Sequence, residues 1–155
     1  MRKILVSQCL YGDRIVRYDG REKTETHPVF LQWKQEGRLI PVCPEVFGGL
    51  PVPRIDSQKR GDRVVTRDGA DVTKEYETGA AEALRLAREH DVVFCVMKQG
   101  SPACGSKVIH DGTFSGTKVP GEGVAVQLLR EAGYRVYGEE DIDEAARELA
   151  AIEQK

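Results

Sequence analysis

Three cysteines, Cys9, Cys43 and Cys104, stand close behind short apolar runs, where each run gives way to a loop rich in glycine and proline. Such runs read as β-strands. In an open α/β sheet the carboxyl ends of the strands border one crevice, so three thiols far apart in sequence are expected to become neighbours there. Three soft sulfur ligands with a fourth position left open suit a thiophilic metal or an iron–sulfur cluster that does chemistry. The fourth cysteine, Cys95, lies inside the apolar run Val92–Met97 and reads as a buried small hydrophobe. The sequence contains no CxxC pair, no HExxH and no Cys/His finger spacing. A structural zinc site is normally closed by four protein ligands. His27, His90 and His110 are the candidates for a fourth, with His90 expected at an exposed helix end. Spacing alone leaves a cluster, a zinc ion and bare thiols all open.

The elements that must position these thiols follow from hydrophobic periodicity. Lys3–Ser7 reads as a first strand ending at Cys9, and residues 10–27 as a loop. Pro28 suits the start of a short helix, with Val29, Leu31 and Trp33 as its apolar content and Gly37 as its terminator. Leu39–Val42 is a second strand running into Cys43. Residues 44–62, dense in glycine and proline, read as a long irregular segment of the kind that carries function. Arg63–Arg67 reads as a small strand with Asp68-Gly69 as a turn. The clearest helix follows. Asp71 or Thr73 caps it, and Tyr76, Ala80, Ala83, Leu84 and Ala87 share one face. Gly79 inside it costs roughly 1 kcal/mol relative to alanine. Val92–Met97 is a strand covered on both faces, residues 99–123 a second glycine-rich region, and Val124, Leu128 and Leu129 the start of a helix stopped by Gly133. Tyr134–Tyr137 is a fourth strand, and Ile142, Ala145, Ala146, Leu149 and Ile152 give the last helix an apolar stripe. Strands alternating with helices predict an α/β fold: one domain over residues 1–155, with a mostly parallel open sheet of about four to five strands and helices on both faces, Rossmann-like.

A chain of 155 residues with 31% charged residues and a net charge of −2 has the size and polarity of one soluble domain. Its longest apolar run is far short of the ~20 residues that cross a bilayer, and Ile4-Leu5-Val6 is too short for a secretory core of ~7–15 residues. A cytoplasmic location is therefore expected, and in a reducing compartment thiols serve as ligands, catalytic groups or core residues rather than disulfides. The charge offers no general polyanion-binding surface. A local basic cluster of Arg14, Arg17, Arg21 and Lys23 reads as a solvated loop or a phosphate contact. Gly121-Glu122-Gly123, ahead of a helix, is a weak phosphate signal, since Glu122 opposes an anion.

Six segments occur in order: Ser7-Gln8-Cys9-Leu10, Arg17-Tyr18-Asp19-Gly20, Pro41-Val42-Cys43-Pro44-Glu45, Gly48-Gly49-Leu50-Pro51-Val52-Pro53-Arg54, Ser101-Pro102-Ala103-Cys104-Gly105-Ser106 and Asp111-Gly112-Thr113-Phe114. Together they resemble the thiouracil desulfidase (TudS) family, long known as a domain of unknown function. The match runs from residue 3 to about 140. Gln8 and Ala103 fill variable places beside two cysteines, and the last helix lies outside the motifs. The resemblance implies a [4Fe-4S] cluster on Cys9, Cys43 and Cys104, with the fourth iron open to a substrate sulfur. It implies removal of sulfur from a thiolated uracil, without net redox change, to give uracil and sulfide. A thiocarbonyl sulfur is soft, and thiolate-ligated iron suits it better than magnesium or calcium.

Such a hydrolysis needs a base for water and an acid for the ring nitrogen or the sulfur. Glu45, two residues past Cys43 and stiffened by Pro44, is the first candidate; its structural alternative is a salt bridge to Arg54. Ser101, fixed by Pro102, is a candidate to orient water or the pyrimidine, or else a turn or helix-capping residue. Asp19 and Ser106 are candidate base-edge contacts, and Asp111-Gly112 marks a turn. The expected partner is a small thiopyrimidine, base or nucleotide, with no membrane. Two rival readings are desulfuration of thiouridine in tRNA, disfavoured by the acidic charge, and a zinc or redox-thiol module without desulfidase activity.

Overall fold

The computed structural model describes residues 1–13, 16–20 and 24–154. Along the chain run β1 (Ile4–Ser7), α1 (Gln8–Tyr11), α2 (Pro28–Gln35), β2 (Leu39–Val42), α3 (Pro44–Phe47), β3 (Ser57–Arg60), β4 (Arg63–Thr66) and α4 (Thr73–Glu89). There follow β5 (Phe94–Met97), β6 (Val108–His110), β7 (Lys118–Pro120), α5 (Val124–Glu131), β8 (Val136–Gly138), a 3-10 turn (Glu139–Asp141) and α6 (Ile142–Glu153).

Four strands form the central parallel sheet in the order β2-β1-β5-β8. Side chains alternate across it, as the strand repeat of two demands. Leu5, Cys95 and Met97 face α4 and α5, packing with Tyr76, Ala80, Ala83 and Leu129. Ile4, Val6, Phe94 and Val96 face α2 and α6, packing with Phe30, Trp33, Ile142 and Leu149. Both faces are covered, which is why these strands read as continuous apolar runs. The α/β architecture matches the sequence expectation.

The irregular stretches hold more structure than their composition suggests. Residues 44–62 contain α3 and β3, and β3 pairs antiparallel with β4. Residues 99–123 contain a second antiparallel pair, β6 with β7. The segment after β1 is a short helix rather than a loop, so Cys9 sits in a helical turn beyond the strand. Gly12, with φ +83°, closes that turn by donating its N–H to Gln8 O at 3.0 Å. These pieces pair with partners distant in sequence or last a single turn, so local periodicity does not reveal them. The apolar face of α2 is Phe30 and Trp33, three residues apart and buried, while Leu31 is exposed. Asp71 caps α4 from outside it, its Oδ1 accepting the Thr73 N–H at 2.9 Å.

Gly79 has a packing reason. A Cβ there would lie 1.7 Å from Pro44 O, and one on Gly48 would lie 1.9 Å from Glu75 O. These glycines let α3 and α4 touch backbone to backbone and seat the turn that carries Cys43 and Glu45. Among the described residues no helix is long and apolar enough to cross a membrane.

Candidate active site

The strand order places a crevice at the carboxyl ends of β1 and β5. The crossover leaving β1 goes to α2 on one face, and the crossover leaving β5 goes to α5 on the other. Loops diverging from neighbouring parallel strands open a cleft at their ends. A cavity of about 390 Å³ lies there, of ligand-pocket size. Cys9 from α1, Cys43 at the start of α3, and Cys104 from the loop after β5 all line it. The four cysteines are not disulfide-bonded, and Cys95 is fully buried in β5, away from the cavity lining. Burial pushes the Cys43 thiol up, with Glu45 adding to the shift. Burial also pushes Cys104 far up, and Cys9, Cys43 and Glu45 lie close enough to raise it further. The tertiary fold thus brings the three sulfurs within electrostatic reach of one another. Among the described residues no three His, Cys, Asp or Glu side chains form a group fit for a single metal ion. The donor set, two buried thiols and the half-buried Cys9 on one cavity wall, is chemically suited to a thiophilic iron centre, whose positive charge offsets the penalty on the thiolates.

Glu45 also lines the cavity. Its Oε2 accepts from the Tyr76 hydroxyl, and its Oε1 lies 3.5 Å from Arg54 Nη2. The expected ion pair to Arg54 is therefore present, on a carboxylate that also faces the cavity. Burial, then the adjacent Glu45, keeps the Tyr76 proton in place by pushing its pKa up. Ser101 lines the cavity too, while its Oγ accepts the N–H groups of Ala103 at 3.0 Å and Cys104 at 3.1 Å. It anchors the turn that carries Cys104, and its own hydroxyl proton remains to donate.

Asp19 and Ser106 are not part of this front. Asp19 Oδ2 is 3.7 Å from Arg17 Nη2. Arg17 and Tyr18 line the cavity, whereas Asp19 is outside the lining. Ser106 is buried, its Oγ accepting from Gln99 Nε2, and it too is outside the lining. Of the histidines, His27 caps α2 through Nδ1 and meets Asp143 through Nε2, and His90 is exposed at the end of α4. Only His110 reaches the cavity. Arg17 is the part of the basic cluster found there; Arg14, Arg21 and Lys23 lie outside the described residues. The phosphate reading of Gly121-Glu122-Gly123 is overturned. The N–H groups of Val124, Ala125 and Val126 at the start of α5 donate to Pro102 O and Ala103 O, so that helix end is occupied by the Cys104 loop.

Four buried polar atoms lack a partner among the described residues: Gln8 Oε1, Arg17 Nη1, Arg54 Nε and His110 Nδ1. Such atoms are costly when buried without a partner, and all four sit on side chains that border this one cavity. Lys98 and Gln99 also line it. They follow β5 immediately, so their position past a buried strand was a signal available in the sequence. Tyr76 was not recoverable this way, because it reads as one more residue of an apolar helix face.

Fold and site together define an α/β protein with three thiols and a substrate-sized polar cavity at one sheet edge. The chain belongs to the 2-thiouracil desulfurase family, whose profile matches residues 4–141. Among solved structures it is similar to a [4Fe-4S]-dependent thiouracil desulfidase, TudS, with a TM-score of 0.94 and 42% identity over 97% of this chain and 99% of that one. It is also 37% identical over 151 residues to YbbK of Bacillus subtilis (strain 168), an uncharacterized protein, covering 91% of this chain and 98% of the relative.

Proposed function

We propose that this chain removes sulfur from a thiolated uracil, as free base or nucleotide, to give uracil and sulfide, and that Cys9, Cys43 and Cys104 hold a [4Fe-4S] cluster for that reaction. The observation that carries this reading is the meeting of three distant thiols on the wall of one polar cavity. Family membership supports the reaction, and the similarity to TudS supports the cofactor. When bound, such a cluster with one open iron supplies a soft Lewis acid that polarises the thiocarbonyl and takes up the leaving sulfur. Water contributes the oxygen that replaces sulfur on the ring carbon, and its protons leave with the sulfide, so no electron is gained or lost.

The chain's own groups do the rest. Glu45, aimed by Tyr76 and Arg54, accepts the first proton from water at Oε1. Ser101, fixed by the Ala103 and Cys104 N–H groups, donates its hydroxyl to the ring or to the water. Asp19 acts on the base edge through Arg17, and Ser106 supports the Cys104 loop rather than the pyrimidine. The side chains of Arg17, Arg54, Gln8 and His110, which line the cavity, supply polar contacts to the substrate. Thiols that must stay reduced suit the cytosol.

Protein prepared and reconstituted without oxygen should carry about four irons and four acid-labile sulfides per chain. Alanine at Cys9, Cys43 or Cys104 should abolish that content and the release of sulfide from thiouracil. Zinc without labile sulfide in the wild type would reject the reading. Activity on free thiouracil, thiouridine monophosphate and thiolated tRNA, compared across salt concentrations, separates a small substrate from a nucleic acid, whose binding would fall steeply with salt.

A further inference from the structure

The loop that carries Cys104 is organised around one side chain. Gln99 Oε1 accepts three consecutive backbone N–H groups, from Ser106 at 3.2 Å, Lys107 at 3.0 Å and Val108 at 3.2 Å. Its Nε2 donates to Ser106 Oγ. Its own N–H donates to Glu139 Oε1 at 2.8 Å, and Glu139 also pairs with Lys98. The carboxamide is seated on Gly138 at the end of β8, where a Cβ would lie 2.2 Å from Nε2 and 3.0 Å from Cδ. A single acceptor that gathers three successive amides forces residues 106–108 to curl around it, as an anion does in a backbone nest. The other end of the loop is held independently by Ser101, whose Oγ takes the Ala103 and Cys104 amides. Cys104 is thus fixed between two polar anchors, and only Ser101 belongs to the catalytic set.

We propose that Gln99 is the positioning residue of the Cys104 thiol: seated on Gly138, its carboxamide shapes residues 106–108, the far anchor of the Cys104 loop, before any metal arrives. The proposal rests on the reading that Cys104 is a ligand, and it extends that reading to a residue whose side chain acts through the loop. Although Gln99 borders the cavity, both ends of its carboxamide are engaged by the loop, which assigns it to support rather than to substrate. Leucine would fill the space and leave three amides without an acceptor. Glutamate would still accept them, and the Ser106 hydroxyl can turn to donate to it.

The test compares Gln99→Leu, Gln99→Glu and Gly138→Ala with the wild type. In metal-free protein, amide exchange at Lys107 and Val108 should rise by about tenfold or more in Gln99→Leu and Gly138→Ala, with β1 and β5 amides unchanged, and stay within about threefold of wild type in Gln99→Glu. After anaerobic reconstitution, the first two variants should lose iron to a chelator faster than wild type and Gln99→Glu. If Gln99→Leu fails to fold, Gly138→Ala decides, because it displaces the carboxamide without removing it. Wild-type exchange rates in both Gln99→Leu and Gly138→Ala, or a loss in Gln99→Glu as large as in Gln99→Leu, would overturn the proposal. A wild-type protein that takes up no iron would sink the ligand reading alone, since the exchange measurement is made without metal.

Discussion

At the scale of single residues, environment separates side chains of one type. Cys95, buried in β5, has its thiol pushed up to about 12 by desolvation alone. Cys104 feels burial and also two neighbouring sulfurs. Cys95→Ala should therefore retain iron and labile sulfide at the wild-type level, in contrast to the other three cysteines. Glu45→Gln keeps the shape of the carboxylate and removes its basicity. It should lower the rate of sulfide release by about 10²–10⁴-fold with iron content unchanged, and a near-normal rate with the cluster intact would exclude Glu45 as the base. Far from the site, bonds from the Thr73 side chain and N–H, then from Arg63, lower the Asp71 carboxyl from 3.8 to about 2. Because the folded value is the lower one, its contribution is present above 3.8 and disappears as pH falls through about 2. Thermal melts across that window should show a shallower acid dependence in Asp71→Asn than in wild type.

At the scale of elements, the site depends on how closely two helices approach. An exposed mid-helix glycine changed to alanine normally gains roughly 1 kcal/mol. Gly79→Ala reverses that sign, because the new methyl would stand 1.7 Å from Pro44 O. Overpacking of this kind costs about 1–3 kcal/mol. The relief is a shift of α4 from α3, which moves Cys43 and Glu45 together. Urea unfolding should report the loss of stability, and iron uptake should fall in the same variant. Increased stability with unchanged uptake would show that the α3–α4 contact does not govern the site. The two hairpins play the complementary part. Gln58 of β3 holds the β6–β7 tip by accepting the N–H groups of Gly112 at 2.9 Å and Phe114 at 3.2 Å, and that tip brings His110 and Phe114 to the cavity.

At the scale of the whole molecule, the sheet divides labour between its two faces and its edge. On the α2/α6 face, Phe94 stands edge-on to Trp33 at 6.2 Å and to Tyr137 at 5.4 Å. That aromatic packing stabilises the sheet and contributes no group to the cavity. Phe94→Ala should cost about 3–5 kcal/mol in denaturant titrations, while iron per folded molecule and sulfide release per iron remain at the wild-type level. A fall in iron per folded molecule would mean that the far face transmits strain to the carboxyl edge. Arg38 closes the opposite end of the molecule, joining Glu36 and Glu153 at 3.0 Å each and tying the end of α6 to the entry of β2.

The amino-acid sequence by itself determined the parallel α/β class, the four core strands and four longer helices, the buried character of Cys95 and the three candidate ligand thiols. Those features are local: a repeat of two or of 3.6 is written into neighbouring residues, and a thiol just past an apolar strand is placed at a sheet edge by chain direction alone. Only the tertiary structure decided that β1 lies between β2 and β5, that Gly79 is a point of backbone contact, and that Tyr76, 31 residues from Glu45, orients its carboxylate. It also left Ser106 and Asp19 outside the cavity lining and filled the start of α5 with the Cys104 loop. Contacts of that kind join residues whose separation along the chain carries no period, so they exist only once the strand order and the helix faces are set.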